Sequence, residues 1–245
     1  RFSADLDQRH RLIHEQGIKR VGTARLSQFR FRHHLFQKYL YGRLAAAERM
    51  YLHEAVGNAL EVLFAGNTDD LPAAQLARHF QEAQMAVKAS RYLLLAGQKA
   101  ANVLAFDEAA MYCERGIAEL KNLDSTPEID RLGYELRLAL AQALWHSGRV
   151  AEAVADYQHA FELARALDDP NALARAALAY EEPRWRLNLD TEVSQQYLRQ
   201  ALAALQEEQS GLRVRLLVGL ARSLLASGEQ QERLTTVDQA LCIAR

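Results

Sequence analysis

Residues 144–165 read LWHSGRVAEAVADYQHAFELAR, and residues 224–245 read LLASGEQQERLTTVDQALCIAR, so a similar stretch returns 80 positions later. Ser147-Gly148 of the first stretch matches Ser227-Gly228 of the second, and both stretches end in Ala-Arg. Residues 103–120 match the first stretch with an offset of 44. A unit that recurs about every 40 residues is typical of an array of stacked repeats.

The repeat unit is predicted to be helical. Ala and Leu dominate the composition, the 245 residues include only four prolines, and Val and Ile are sparse after residue 40. From residue 35 onward, apolar residues recur at the spacing of an amphipathic helix, with a break near residues 44–47. We therefore predict an all-α protein with a helical arm at residues 37–84 and an array of about four units at residues 85–245.

The array resembles the tetratricopeptide repeat, in which small residues at fixed positions let paired helices approach closely. The matching residues are Gly97, Ala109 and Gly116, then Ala141, Gly148, Ala153, Tyr157 and Ala160, and finally Ala221, Gly228 and Ala240. The resemblance implies helical hairpins that stack into a right-handed superhelix with a concave face. Arg233 stands where an alanine is expected, so the last unit either packs loosely or caps the array.

The first 36 residues are predicted to form a different structure. Residues 3–16 have a helical pattern, with Ser3 as the N-cap and Gly17 as the end. Residues 18–33 then combine β-branched residues, a turn near Val21–Ala24 and alternating Phe29 and Phe31, which predicts a β-hairpin. A helix followed by a hairpin is the closing half of a winged helix. On this interpretation His33 shares the core-facing side of the last strand.

Charge and cysteine content limit the class of protein. Residues 1–50 hold eleven Lys and Arg against four Asp and Glu, a net charge of +7, so the remaining 195 residues carry −8. Two distant cysteines, Cys113 and Cys242, predict buried thiols in a reducing, cytoplasmic setting. No apolar run approaches the ~18 residues of a membrane span. The chain begins without an initiator Met, which leaves open whether it is a piece of a longer protein.

Two further sets of residues resemble the region after the ATPase core in STAND nucleotidases, the signal-transducing ATPases found in bacterial transcriptional regulators and adenylate-cyclase-like proteins. The first set matches the family's last winged-helix strand and following helix: Phe31, His33, Leu35, Tyr39 or Tyr41, Arg49, Leu52 and His53. The second set matches two motifs farther along: Leu76, Ala77, His79, Phe80, Lys88, Ala89, Tyr92, Ala96, Gly97 and Ala100. The resemblance covers residues 1–120.

This resemblance implies a regulatory role. In the family the winged helix closes over ADP, its motif histidine touches the nucleotide phosphate, and the repeat array senses an inducer that permits exchange for ATP and oligomerisation. The motif histidine falls on His33. The chain contains no G-x-x-x-x-G-K-[ST] loop, so we expect no ATPase activity and no cofactor in this chain alone. ATP or ADP would belong to a nucleotide-binding domain upstream.

The concave face is the predicted binding surface for a protein or peptide, and its mixture of arginine, amide and tryptophan residues suits an acidic or polar ligand. The residues assigned to it are Arg91, Gln98, Asn102, Gln142, Trp145, His146, Arg215 and Arg222. Pro183 is predicted to end a helix, so that Arg184 and Trp185 follow in a loop; Trp185 either contacts the partner or folds back over the array. An unused, solvated groove is the alternative for the whole surface. We predict no catalytic residue and no metal site, although His10 and His14 have helical metal-ligand spacing.

Three functions remain open from the sequence. The first is the sensor and interaction module of a STAND-type regulator, which relays partner binding to an ATP/ADP switch. The second is a DNA-binding winged helix with attached repeats, which the basic N-terminal region favours, although the mixed charge of residues 5–15 disfavours direct contact with nucleic acid. The third is a stand-alone repeat scaffold. The inducer, the output domain and the oligomeric state are not encoded in any motif.

Overall fold

The computed structural model describes residues 11–21, 24–65, 70–186, 191–205 and 210–244. In these ranges eleven helices follow one antiparallel pair of strands, which confirms the all-α class with a small N-terminal hairpin. The chain divides into two compact units, unit 1 (Arg1–Tyr92) and unit 2 (Leu93–Arg245). Among the described helices, none has both the length and the apolar content needed to cross a bilayer.

The predicted hairpin is present in unit 1. Strand β1 (Ile13–Val21) pairs antiparallel with β2 (Ala24–Phe31), from Ile13 opposite Phe31 to Val21 opposite Ala24. The helix predicted for residues 3–16 is wrong at its end, because residues 13–16 belong to β1. Gly17 does not stop a helix. It lies at a bulge in β1 with φ +139°, a backbone conformation that glycine adopts readily. Ser3 lies outside the described residues.

Three helices complete unit 1, and a fourth helix begins in unit 1 and continues into unit 2. They are α1 (His34–Arg43), α2 (Ala46–Leu63), α3 (Ala73–Glu82) and α4 (Ala86–Asn102). The predicted break falls between α1 and α2, where Glu48 accepts a hydrogen bond from the Ala45 backbone N–H at 2.8 Å. Helix α1 buries none of its residues, and α2 buries only Gly57.

The core of unit 1 forms where α2, α3 and the start of α4 meet. Leu76, Phe80 and Ala89 are fully buried there. A Cβ added to Gly57 would lie 2.9 Å from the Phe80 ring, so a glycine is needed for this approach. Above the ring, Lys88 donates to Glu61 at 2.8 Å, and the Tyr92 hydroxyl donates to the same carboxylate at 2.8 Å.

Unit 2 contains four helical hairpins, which matches the predicted repeat of paired helices. The first is α4 with α5 (Phe106–Leu120), and the second is α6 (Pro127–His146) with α7 (Val150–Ala166). The third is α8 (Pro170–Arg186) with α9 (Glu192–Ala204), and the fourth is α10 (Ser210–Ser227) with α11 (Gln230–Ala244). Thr126 caps α6 by accepting from the Ile129 N–H, with Pro127 in its favoured first-turn position.

Five turns between consecutive helices share one backbone geometry. A single residue with positive φ follows the first helix at five turns: Gln84, Leu104, Gly148, Asp168 and Gly228. At three of them the next backbone N–H donates to the carbonyl five residues earlier: Met85 to Phe80, Ala105 to Ala100 and Arg149 to Leu144. This is the Schellman motif, which satisfies carbonyls at a helix end. The Ser-Gly pairs also behave alike, because Ser147 and Ser227 each donate to the carbonyl three residues before.

Small residues bring the helices of unit 2 together, as predicted. A Cβ on Gly97 would lie 2.9 Å from Cys113 Sγ and 3.2 Å from the Ala109 carbonyl oxygen. A Cβ on Gly116 would lie 2.7 Å from Leu136 Cδ2 on the next helix. Ala109, Ala141, Ala153 and Ala160 are also buried. These contacts fix the spacing of the array, because a larger side chain would push the helices apart.

Two local predictions need correction or refinement. Pro183 does not end its helix, since α8 continues through it to Arg186. The proline lies within the last turn of α8, so its missing N–H removes one hydrogen bond close to the end of the helix. In α11, only Thr236 and Ala240 are buried, and Arg233 is half-exposed, so the last helix is less deeply packed than its equivalents.

Candidate functional site

A groove in unit 2 brings together five of the predicted binding residues. This cavity of about 500 Å³ is lined by amide and ring side chains from α4 and α6, namely Gln98, Asn102, Gln142, Trp145 and His146. Its other walls are Phe106 from α5 and Ala179, Glu182 and Pro183 from α8. Alanines 101, 139 and 143 form much of its floor. The volume falls in the range of ligand-binding pockets, and polar groups over an apolar floor are their usual composition.

The rings at one end of the groove are held in place by stacking. The His146 ring lies against Phe106 with centroids 4.8 Å apart and an angle of 22° between the planes. Trp145 is half-buried in the last turn of α6, next to His146. The hairpin turn that follows positions both rings, because Gly148 at φ +84° reverses the chain directly after them. This end of the groove therefore offers a rigid aromatic surface.

Pro183 gives the opposite wall a chemical feature that sequence reasoning missed. A proline has no backbone N–H, so Pro183 cannot donate the helical hydrogen bond that the Ala179 carbonyl would otherwise accept. Both residues line the groove, and Pro183 is buried. Pro183 contributes a rigid ring with no N–H to the lining of the groove. The signal in the sequence was a proline in helical register four residues after an alanine.

The predicted arginines lie elsewhere. Arg222 binds the buried Glu181 carboxylate through Nη2 at 2.6 Å, and Arg184 lies over the Tyr180 ring with its Cζ 5.1 Å from the centroid. Arg215 is exposed on α10 and is not among the groove-lining residues. Arg91 belongs to unit 1, where its charge lowers the pKa of Glu61 together with Lys88. The Trp185 side chain lies outside the described part of the structure.

The charged group that does line the groove is Glu182, next to the buried ion pair of Glu181. Burial raises the pKa of Glu181, and the Arg222 guanidinium opposes that rise. Of the acidic or polar ligands predicted for this surface, the lining of the groove favours the polar one. This lining combines amides, rings and one carboxylate. The arginines predicted for it lie over the Tyr180 ring, pair with Glu181, are exposed on α10 or belong to unit 1.

His33 occupies a different position from the one expected. Strand β2 ends at Phe31, and His33 is the N-cap residue of α1, with its ring 6.1 Å from that of Phe36. Phe29 is 42% exposed, so the side of the strand on which it lies is not a core face. His33 itself is exposed. The idea of a buried packing histidine is wrong, and its side chain is accessible to a partner.

The remaining candidates show no reactive arrangement. Cys113 is buried against Gly97, and burial raises the pKa of its thiol to about 12. His14 lies on β1 opposite Arg30, and His10 is outside the described residues. Within the ranges that the structure describes, no three His, Cys, Asp or Glu side chains lie close enough to hold a metal ion.

No family model and no curated protein matches the sequence. Among solved structures, the chain is similar to the crystal structure of BtubC (BKLC) from P. vanneervenii, with a TM-score of 0.58 and 16% sequence identity. The match covers 82% of this chain and 91% of that chain. At this level of identity the similarity establishes a shared helical-repeat fold.

Proposed function

We propose that this chain is the sensor and protein-interaction module of a STAND-type regulator, and that it binds an extended segment of a partner protein in the groove of unit 2. The observation that carries the proposal is the convergence of Gln98, Asn102, Gln142 and Trp145 on one cavity. Amide side chains can donate to and accept from a peptide backbone, and a tryptophan supplies apolar contact area.

The walls of the groove support a peptide ligand in particular. The three amide side chains can pair with both the N–H and the C=O groups of a peptide backbone. The alanine floor leaves room for a backbone to approach closely. The Glu182 carboxylate favours a neutral or basic segment over an acidic one.

Unit 1 supports the regulatory part of the proposal. A hairpin is followed directly by a helical arm, in the order that the STAND resemblance implies. The arm exposes large apolar side chains on α1, with Leu35 66% and Tyr39 62% exposed. Exposed apolar area of this kind marks a surface for another protein domain. An upstream nucleotide-binding domain would cover it and would bring ADP or ATP within reach of the exposed His33.

The groove can be tested by selecting peptides from a random displayed library against the full chain. We expect a recurrent peptide class whose affinity falls at least about tenfold with Trp145→Ala and about fivefold with Gln142→Ala. Gln200→Ala, an exposed polar residue of α9, is the matched control and should change nothing. Selected peptides that bind all three variants equally well would contradict a role for this groove.

DNA binding is kept as a second candidate because the hairpin exposes Arg25 and Arg30 on β2. A basic β-ribbon can contact phosphates. An electrophoretic mobility-shift assay on the full chain would show salt-sensitive binding that Arg25→Gln plus Arg30→Gln removes. The absence of such binding would exclude the DNA-binding hypothesis. A P-loop in the upstream coding sequence would then favour the module of a STAND-type regulator over a stand-alone scaffold.

A further inference from the structure

A chain of three aromatic side chains links the helices of unit 1. The Tyr41 hydroxyl of α1 lies 2.9 Å from His53 Nε2 of α2, and His53 Nδ1 lies 2.9 Å from His79 Nδ1 of α3. Tyr41 and His53 meet edge to face, with ring centroids 5.8 Å apart. All three residues line one cleft, so this chain of contacts is accessible to a ligand.

The cleft is rich in cations and hydrogen-bond donors. It has a volume of about 580 Å³ and is bounded by eight residues: His34, Gln37, Lys38, Tyr41, His53, Gln75, Arg78 and His79. Lys38 and Arg78 carry permanent positive charges on opposite helices, α1 and α3. The described residues that line the cleft include no carboxylate. Such a lining favours an anion, because donors and positive charge converge with no negative group among them.

The contact between the two histidines limits how many protons they hold. A bond between two Nδ1 atoms needs one atom to donate and the other to accept, so one of the two carries a proton and the other does not. If both rings were fully protonated, two N–H groups would face each other at 2.9 Å. A first added proton leaves this bond intact, but a second added proton can be taken up only when the rings turn away from each other, a change that a bound anion favours by neutralising the added charge.

The cations around the pair disfavour its protonation. Burial lowers the pKa of His79, and His53 and Arg78 lower it further, while Glu82 on α3 acts against them. From α2, the Arg49 guanidinium lies 5.4 Å above the Tyr41 ring, and from α1, His34 and Lys38 face the cleft. A bound anion would offset these cations and make the second proton easier to add.

We propose that this cleft binds a tetrahedral oxyanion, namely the phosphate group of a small ligand, and that binding is accompanied by proton uptake at the His53–His79 pair. Lys38 and Arg78 hold the anion from two sides, and a histidine released from the pair donates a third hydrogen bond. A phosphate monoester has three terminal oxygens to accept these bonds, whereas a carboxylate has two. The glutamines at positions 37 and 75 supply further donors at the rim.

The proposal is tested by isothermal titration calorimetry on the full chain with sulfate, inorganic phosphate, glycerol 2-phosphate and acetate as probes. Sulfate stays a dianion over the pH range in which histidine titrates, so its pH dependence reports on the protein. We expect sulfate to bind about fivefold to tenfold more tightly at pH 5.5 than at pH 7.5, since an ordinary histidine has a pKa near 6.5. Glycerol 2-phosphate binding more tightly than inorganic phosphate would identify a monoester as the ligand, and the reverse would identify free phosphate.

Two variants locate the site and the proton. Lys38→Gln plus Arg78→Gln removes two exposed charges without disturbing the core and should weaken sulfate binding at least about 20-fold. Lys121→Gln plus Arg215→Gln, which removes two exposed positive charges in unit 2, is the charge-matched control. His79→Gln should bind sulfate with little pH dependence and without proton uptake, which titrations in buffers of different ionisation enthalpy measure directly.

Three results would overturn the proposal. The first is the absence of sulfate and phosphate binding at 10-millimolar concentrations, about the weakest affinity that a specific site of this charge would show. The second is an equal loss of affinity in Lys121→Gln plus Arg215→Gln and in Lys38→Gln plus Arg78→Gln, which would indicate binding to general surface charge. The third is acetate binding as tightly as sulfate, which would show that the cleft does not select a tetrahedral dianion.

Discussion

Two glycine-to-alanine substitutions, one helix apart, should change stability in opposite directions. Gly116 lies on α5 and Gly133 on α6, and both are inside helices. In either position, alanine removes the entropic cost of glycine and should gain about 0.5–1 kcal/mol. The difference comes from what the new methyl group meets.

At Gly133 the added Cβ has no heavy atom within 4 Å, so the gain is kept and the protein should become more stable by about 0.5–1 kcal/mol. At Gly116 the Cβ would lie 2.7 Å from Leu136 Cδ2 and 3.4 Å from Leu93 Cβ. Carbon atoms in a packed core prefer about 3.5–4.0 Å. Leu136 is fully buried and has little room to turn away. Overpacking of this kind costs about 1–3 kcal/mol, so the net loss should be about 0.5–2 kcal/mol.

The assay is urea unfolding followed by far-ultraviolet circular dichroism, with both variants and the parent measured side by side. Truncating the obstacle provides an internal check: Leu136→Ala should make the added Gly116→Ala substitution much less harmful than it is in the parent. Equal shifts of the two single variants, or a Gly116→Ala protein more stable than Gly133→Ala, would refute the helix spacing described for α5 and α6.

Two further predictions concern buried groups. Arg222→Met should cost about 2–4 kcal/mol at pH 8 by leaving the buried Glu181 carboxylate unpaired. Burial already raises the pKa of Glu181, so the native state of this variant binds more protons than the unfolded chain does. The stability of the variant should therefore fall as the pH rises from about 5 to 8, which urea unfolding at each pH can measure. Adding Glu181→Gln should abolish this dependence of stability on pH. Iodoacetamide should modify only Cys242 in the native protein and both cysteines in denaturant. The reason is that Cys242 is exposed, whereas burial raises the pKa of the Cys113 thiol to about 12. Rapid modification of two thiols in the native protein, detected by mass spectrometry, would contradict the buried position of Cys113.

Helical spacing and small residues were enough to predict most of the fold. The period of apolar residues predicts the paired helices, and Gly97 and Gly116 lie where helices touch because only a missing side chain permits those distances. The end of the helix predicted for residues 3–16 is wrong because Ile13, His14 and Glu15 pair with β2, and such pairing depends on residues far along the chain. Local propensity cannot register a partner strand that begins at residue 24.

The groove was predictable in part. Counting helical positions placed Gln98, Gln142 and Trp145 on one surface, because residues of equivalent register face the same way in stacked hairpins. The arginines were misplaced since their positions depend on tertiary partners. Arg222 turns to Glu181, and no spacing rule indicates that a glutamate 41 residues earlier is fully buried. The histidine chain of unit 1 was predictable only in part: the sequence favours hydrogen bonding of His53 and His79 within helix packing, but no spacing rule indicates that their partners lie on three different helices.

The turns of the array bear on how such proteins diverge. Of the five turn residues with positive φ, only Gly148 and Gly228 are glycines, while Gln84, Leu104 and Asp168 adopt a similar backbone conformation with a side chain attached. The shape of these turns is therefore imposed by the packing of the helices on either side and hardly depends on the residue at the turn. The backbone of such a repeat can therefore stay the same while the residues at its turns differ. Two such arrays can therefore share a fold at 16% sequence identity, because the backbone of these turns does not require a particular residue.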